Sequence, residues 1–202
     1  SKDSHVAVEL IEQVKDIAPV YYSLGNQEED YIGRGTSDLL NELKDAGAIV
    51  LDESYQDIQV NGNAIRLGGM YDYAFALDGN NTTRKKNMRP SLYQFLTDFQ
   101  DTDSYRLMMA HRPDSFIFGD AAKTWEIDLV VSGHNHGGQV ILPFLGGIYG
   151  GDQGWFPKYV DGVHHFKKVK NMVITRGLGS GEEKLPRFNN KPEVVIIHLE
   201  KE

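Results

Sequence analysis

Three short apolar runs in this chain each end in a polar cluster rich in glycine, histidine or asparagine, and that arrangement limits the fold more than any other feature. Val20 to Leu24 runs into Gly25-Asn26-Gln27-Glu28, Tyr105 to Ala110 into His111, and Ile127 to Ser132 into Gly133-His134-Asn135-His136. Short apolar runs bounded in this way read as buried strands of a sheet covered by helices. In such sheets ligands gather outside the carboxyl ends of parallel strands, on loops that the rigid strands hold in place. Glycines at 25, 133, 137 and 138 allow close backbone approach there. If the three strands are neighbours, three imidazoles and an amide oxygen converge. The chain has no cysteine, so any metal must be held by His, Asp, Glu or Asn.

The order of elements supports an α/β fold. Val6, Leu10, Ile11, Val14 and Ile17 recur at helical spacing behind Asp3 or Ser4, and Pro19 ends that helix. A second helix is predicted from Ser37 to Ala46, capped by Thr36 or Ser37 and stopped by Gly47, with a strand from Ala48 to Leu51. Ile58–Val60 and Ala64–Leu67 flank Asn61-Gly62, a hairpin signal, and Met70 to Leu77 reads as a further strand. Residues 79–89 read as an exposed loop. Helices are predicted over Ser91–Phe99 and Ser115–Trp125. Beyond them Gln139–Leu142, Val163–Phe166, Met172–Thr175 and Val194–Leu199 read as strands joined by turns. Strand–helix alternation followed by a run of strands predicts a layered α/β domain with mixed sheets.

Length and charge exclude several functions. Two hundred and two residues fit one domain, 1–202. Twenty-one basic against 29 acidic residues give −8, with no basic run beyond Arg84-Lys85-Lys86, so no nucleic-acid partner is expected. Apolar stretches such as Val194–Ile197 fall far short of the ~18 residues of a membrane span. The chain opens Ser-Lys-Asp without an initiator Met, which leaves an earlier anchor open, and with it the choice between a cytoplasmic and a membrane-associated location. His5, His164, His165 and His198 read as structural. Phe144, Leu145, Tyr149, Trp155, Phe156 and Tyr159 crowd a glycine-rich loop after the third cluster, either as an apolar substrate wall or as a loop packed on itself.

Taken in order, these motifs resemble those of the calcineurin-like binuclear metallophosphoesterases. Gly25-Asn26-Gln27-Glu28 is similar to that family's Gly-Asn-His-Glu/Asp block, His111 to its isolated metal histidine, and Gly133-His134-Asn135-His136 to its Gly-His-x-His block. His111-Arg112-Pro113, His136-Gly137-Gly138-Gln139 with Pro143, Thr175-Arg176-Gly177-Leu178-Gly179, Arg187 and Pro192-Glu193 resemble a membrane-associated branch. That branch includes enzymes that cleave the pyrophosphate of UDP-linked diacylglucosamine. The resemblance implies a layered α/β/β/α sandwich with mixed sheets. It also implies that Asn26, His111 and His134 hold one ion of a Mn, Fe or Zn pair while His136 helps hold the other. The reaction it implies is hydrolysis of a phosphoric ester or pyrophosphate by in-line attack of a metal-bound hydroxide. The substrate would be a phosphorylated small molecule or a lipid-linked one, with peripheral membrane association of the parent protein.

Two departures bear on activity. The family's Asp-x-His and Gly-Asp blocks, which belong to its first strands, are absent, so the resemblance implies an N-terminally truncated domain. Such a fragment would hold zero to one ion, and its uncovered strand edges favour self-association. Gln27 stands where the family has a histidine that protonates the leaving group, and a glutamine has no proton to give near neutral pH. The alternative function is therefore a lapsed enzyme that binds metal or a phosphorylated ligand without turnover. Glu28, Asp114 and Asp152 lie near these motifs as further candidate ligands.

Overall fold

Segments of this protein settle where their apolar faces can be covered. The computed structural model describes residues 2–33, 38–179 and 186–200. Helix α1 (Lys2–Val14) begins ahead of the expected cap at Asp3 or Ser4 and leads to β1 (Val20–Ser23). Next come α2 (Asn26–Gly33), α3 (Asp38–Ala46) and β2 (Ala48–Leu51), which pairs in parallel with β1. The cap expected at Thr36 or Ser37 lies outside the described residues. Ile11, Leu39, Leu43, Ala46 and Ala48 form a core between α1, α3 and this strand pair.

Strands β3 (Ser54–Val60) and β4 (Asn63–Met70) make the hairpin expected at Asn61-Gly62. Both turn residues have positive φ, 51° and 76°, a backbone that Asn and Gly adopt most readily. Then follow α4 (Pro90–Gln100), β5 (Tyr105–Ala110), α5 (Asp114–Ile117), α6 (Ala121–Thr124) and β6 (Ile127–Ser132). Two small ladders come next, β7 (Ile141–Leu142) with β8 (Gly146–Gly147) and β9 (Tyr149–Gly150) with β10 (Gly154–Trp155). Strands β11 (Gly162–His164) and β12 (Val169–Ile174) complete the strand set of the described residues. The main sheet is mixed, in the order β11-β12-β6-β5-β4-β3, with β12, β6, β5 and β4 parallel and the edge strands antiparallel. No described helix is long and apolar enough to cross a membrane.

A glycine pair sets the thickness of the layers. On β4, consecutive residues face opposite sides of the sheet. At Gly68 a Cβ would lie 2.6 Å from the ring of Phe99 on α4, and at Gly69 it would lie 2.3 Å from the backbone oxygen of Leu51 on β2. The helical layer and the β1–β2 pair therefore both press on β4 at the one place without side chains. One face of the main sheet carries Met108, Ala110, Val130, Met172 and Ile174 against Leu92, Phe95, Leu96 and Phe99 of α4. The other face meets β1–β2, whose outer side is covered by α1 and α3. The fold is α/β with a central mixed sheet.

Several expectations need correction. Met70–Leu77 is not one strand: β4 ends at Met70 and the chain turns inward, burying Ala74, Phe75 and Ala76. Its backbone is tied by bonds from Ala74 N to Ser115 O and from Ala76 N to Thr82 O rather than by a ladder. Residues 79–89 form a loop, yet Thr83 and Met88 are buried. Ser115–Trp125 is two short helices, broken where Gly119 takes a φ of 63°. Gln139–Leu142 narrows to β7, and Val194–Leu199, largely exposed, has no strand partner among the described residues. Helix α2 was not expected; it starts within the Asn26 cluster.

Helix α5 buries the Asp114 carboxyl completely. Neither of its oxygens closes a hydrogen bond, and burial, then the charge of Asp152, pushes its pKa up to about 6; the Asn135 and Gln153 amides offset this only in part.

Gly69→Ala is expected to cost ~2–3 kcal/mol, because the obstacle is backbone, whereas Gly33→Ala, with open space around it, should be near neutral. Thermal melts of the two variants check this. For Asp114 the raised pKa means that the native state resists ionisation, so stability is lost as pH rises from ~4 through ~6. Asp114→Asn should match wild type near pH 4 and exceed it by on the order of 2 kcal/mol at pH 7. Parallel denaturant curves at the two pH values would refute this.

Candidate functional site

The carboxyl ends of β1, β5 and β6 meet at one place. β5 and β6 are adjacent in the main sheet, and the loops beyond them are joined by a bond from Gly133 N to the backbone oxygen of His111 at 3.0 Å. β1 lies across the ends of β4 and β5, its Ser23 hydroxyl 3.4 Å from Met70 O and 3.3 Å from Met109 O. Gly25 makes the next step feasible, since a Cβ there would lie 2.8 Å from the imidazole of His111. Its backbone N–H is held at 2.8 Å by Glu28, whose other oxygen accepts from the Tyr22 hydroxyl at 2.9 Å. Glu28 thus fixes the turn that aims Asn26 inward.

The result is a small triangle of side-chain atoms. Asn26 Oδ1 is 2.7 Å from His111 Nε2 and 3.2 Å from His134 Nδ1, and the two ring nitrogens are 3.1 Å apart. The rings meet edge to face, with centroids 4.9 Å apart. Ligands at ~2.1 Å on one face of an octahedral ion sit ~3 Å from each other, so the three atoms have the spacing of a cation's ligands. The donor set of two imidazole nitrogens and one amide oxygen also suits a divalent transition metal. Among the described residues no three His, Asp or Glu side chains form a ligand group, so Asn26 is what completes the triad.

The electrostatics keep both rings neutral. Burial, followed by the charge of Arg112, pushes the pKa of His111 down to about 4. Burial, followed by the neighbouring His111, does the same for His134. A neutral imidazole is the form that binds metal. His136 stands outside the triangle, its ring near Gly179, but close enough that its charge depresses both other histidines. His134 and His136 do not lie on extended chain. Both have positive φ, 62° and 46°, and the segment coils into a tight turn.

Around the triangle lies a network of which sequence reasoning named Arg112 and Asp152 but missed Tyr71 and Tyr73. Arg112, beside His111, sends Nη1 to the Tyr73 hydroxyl at 2.5 Å and Nη2 to the Tyr71 hydroxyl at 2.8 Å, its guanidinium over both rings. The Tyr73 hydroxyl in turn donates to Asp152 Oδ2 at 2.7 Å, and Arg112 Nη1 reaches the same oxygen at 3.3 Å. The sequence signal for the tyrosines was their spacing of two, just past the end of β4. Gln27 is exposed at the start of α2. Of the aromatic loop, Phe144, Leu145, Trp155 and Phe156 are more than 60% exposed, Tyr149 and Trp155 meet edge to face at 5.5 Å, and Tyr159 packs against the main core.

No protein-family model matches the chain. It is 29% identical over 174 residues to the uncharacterized metallophosphoesterase YkuE of Bacillus subtilis, a match that covers 84% of this chain and 53% of that protein. It is 26% identical over 192 residues to the phosphodiesterase YaeI of Escherichia coli, covering 95% and 62%. A metallophosphoesterase of Aquifex aeolicus is 28% identical over 181 residues, covering 87% and 59%. The chain spans between 28% and 62% of the length of the curated relatives it matches. Over most of its own length the chain is thus similar to proteins named metallophosphoesterases and to one named a phosphodiesterase.

Proposed function

We propose that this chain carries part of the metal centre of a phosphoric-ester or pyrophosphate hydrolase, with Asn26, His111 and His134 holding one divalent ion and His136 helping to hold a second. The observation that carries this is the Asn26–His111–His134 triangle, with edges of 2.7, 3.1 and 3.2 Å. When bound, divalent ions would supply Lewis acidity toward a phosphoryl oxygen and toward water. The protein's own contribution is to hold the ligands. Gly25 admits the His111 ring, Glu28 fixes the turn of Asn26, and burial keeps both imidazoles unprotonated. The metals that fit are Mn, Fe or Zn.

A phosphodiester substrate is the reading the relatives favour, since one of them is named a phosphodiesterase. A lipid-linked substrate is supported by the exposed Phe144, Leu145, Trp155 and Phe156, which lie on or beside the ladders that follow the His134–His136 turn. A second reading, a lapsed enzyme that binds without turnover, is favoured by Gln27. Its amide has no proton to donate, and the loss of general-acid help costs ~10²–10⁴ in rate.

Elemental analysis after Mn²⁺ loading and desalting should find about one equivalent retained by wild type and none by His134→Ala, with both proteins melting cooperatively. Retention by His134→Ala would end the metal assignment. Hydrolysis of bis(p-nitrophenyl) phosphate by Gln27→His separates the two readings. An active enzyme gains only modestly, whereas a lapsed one gains ~10²-fold or more from near zero.

A further inference from the structure

The triangle can close in two ways. Asn26 Oδ1 only accepts, so it either takes N–H bonds from the two rings or leaves three lone pairs facing a cation. Which of these holds at His134 depends on where its proton sits, and that depends on what faces the far side of the ring.

The far side is built. Gly151, with φ 28°, brings its backbone against the imidazole so closely that a Cβ would lie 2.7 Å from Nε2 and 3.0 Å from Cδ2. The next residue, Asp152, sets its Oδ2 at 3.9 Å from the same Nε2. This carboxylate is not left to wander. The Tyr73 hydroxyl donates to Oδ2 at 2.7 Å and Arg112 Nη1 at 3.3 Å, and Arg112 is itself wedged by the Tyr71 and Tyr73 hydroxyls. A short turn, Gly151–Gln153, is thus anchored to the residues that follow β4 and β5, with its one carboxylate turned to the back of His134.

We propose that Asp152 is the positioning residue of His134, drawing the ring proton to Nε2 so that Nδ1 turns its lone pair to the ion held with Asn26 and His111. This rests on the metal-centre reading above. Arg112 and Tyr73 hold the carboxylate in place, and Arg112 also balances its charge, so the device adds no net charge behind the ring. A carboxylate behind a ligating histidine raises the basicity of the ligating nitrogen and fixes the ring, and its loss typically weakens metal affinity ~10–100-fold.

The test is Mn²⁺ titration by calorimetry together with ¹⁵N-histidine NMR of the metal-free protein, on wild type, Asp152→Asn, Tyr73→Phe and His134→Ala. The expected result is Mn²⁺ binding at least ~10-fold weaker in Asp152→Asn with an unchanged melt, and a His134 signal moved from the Nε2–H form toward a mixture of tautomers. A purely structural role for Asp152 would leave that tautomer signal where it is. Wild-type affinity and tautomer in Asp152→Asn, with binding still lost in His134→Ala, would overturn the proposal and leave the metal centre standing. Binding that survives His134→Ala would instead remove the metal-centre reading, and this proposal with it. If Asp152→Asn fails to fold, Tyr73→Phe takes its place, because it keeps the ring and removes the hydroxyl that donates to Oδ2 and accepts from Arg112. A several-fold loss of Mn²⁺ affinity in that variant supports the proposal, and none overturns it.

Discussion

The site depends on one close approach, that of the β1–β2 pair to the face of the main sheet. Gly69 lets the backbone of Leu51 come down onto β4, and Ser23 then spans from β1 to the ends of β4 and β5. Asn26 follows a strand of one sheet, and the two histidines follow strands of another. Only because the sheets meet without an intervening side chain can an amide oxygen reach 2.7 Å from an imidazole more than eighty residues away. A methyl group at Gly69 would push the sheets apart, and a shift of even ~1 Å would break the contact of Asn26 with His111.

Glycine recurs at each contact on which the geometry depends, for a steric reason each time. Gly25 makes room for His111, Gly151 for His134, and Gly68 for Phe99. The cost of glycine in the unfolded chain is offset where its missing Cβ lets two layers or a loop and a ring come into contact. The positive φ values of His134 and His136 belong to the same picture. Residues with side chains rarely adopt that backbone, and strain of this kind persists where surrounding contacts hold it.

Electrostatically the site is a neutral pair of imidazoles surrounded by charge. Arg112 and Asp152 sit a few ångströms from the rings and largely cancel each other, while burial keeps the rings unprotonated. That balance leaves room for added positive charge at the triangle. Next to the triangle, at the start of α2, Glu28 and Glu29 share a region with Asp52 and Asp72.

The amino-acid sequence by itself determined the strands that end in Asn26, His111 and His134, the Asn61-Gly62 hairpin, and the apolar stripe of α4. In each case the signal is local, a run or a spacing that has one good solution. It also determined which atoms could serve as ligands, because the chain offers no thiol. Local pattern misled where the partner lay far away. The run past Met70 to Leu77 looked like a strand but has no strand neighbour among the described residues, Val194–Leu199 likewise, and the His134–His136 segment coils into a turn. Only the tertiary structure decided that β1 crosses the ends of β4 and β5, that Glu28 is a turn brace, and that Tyr71, Tyr73, Arg112 and Asp152 form one network behind the histidines. Those are contacts between residues up to about eighty positions apart, set by how closely two sheets can stack, and no spacing along the chain encodes them.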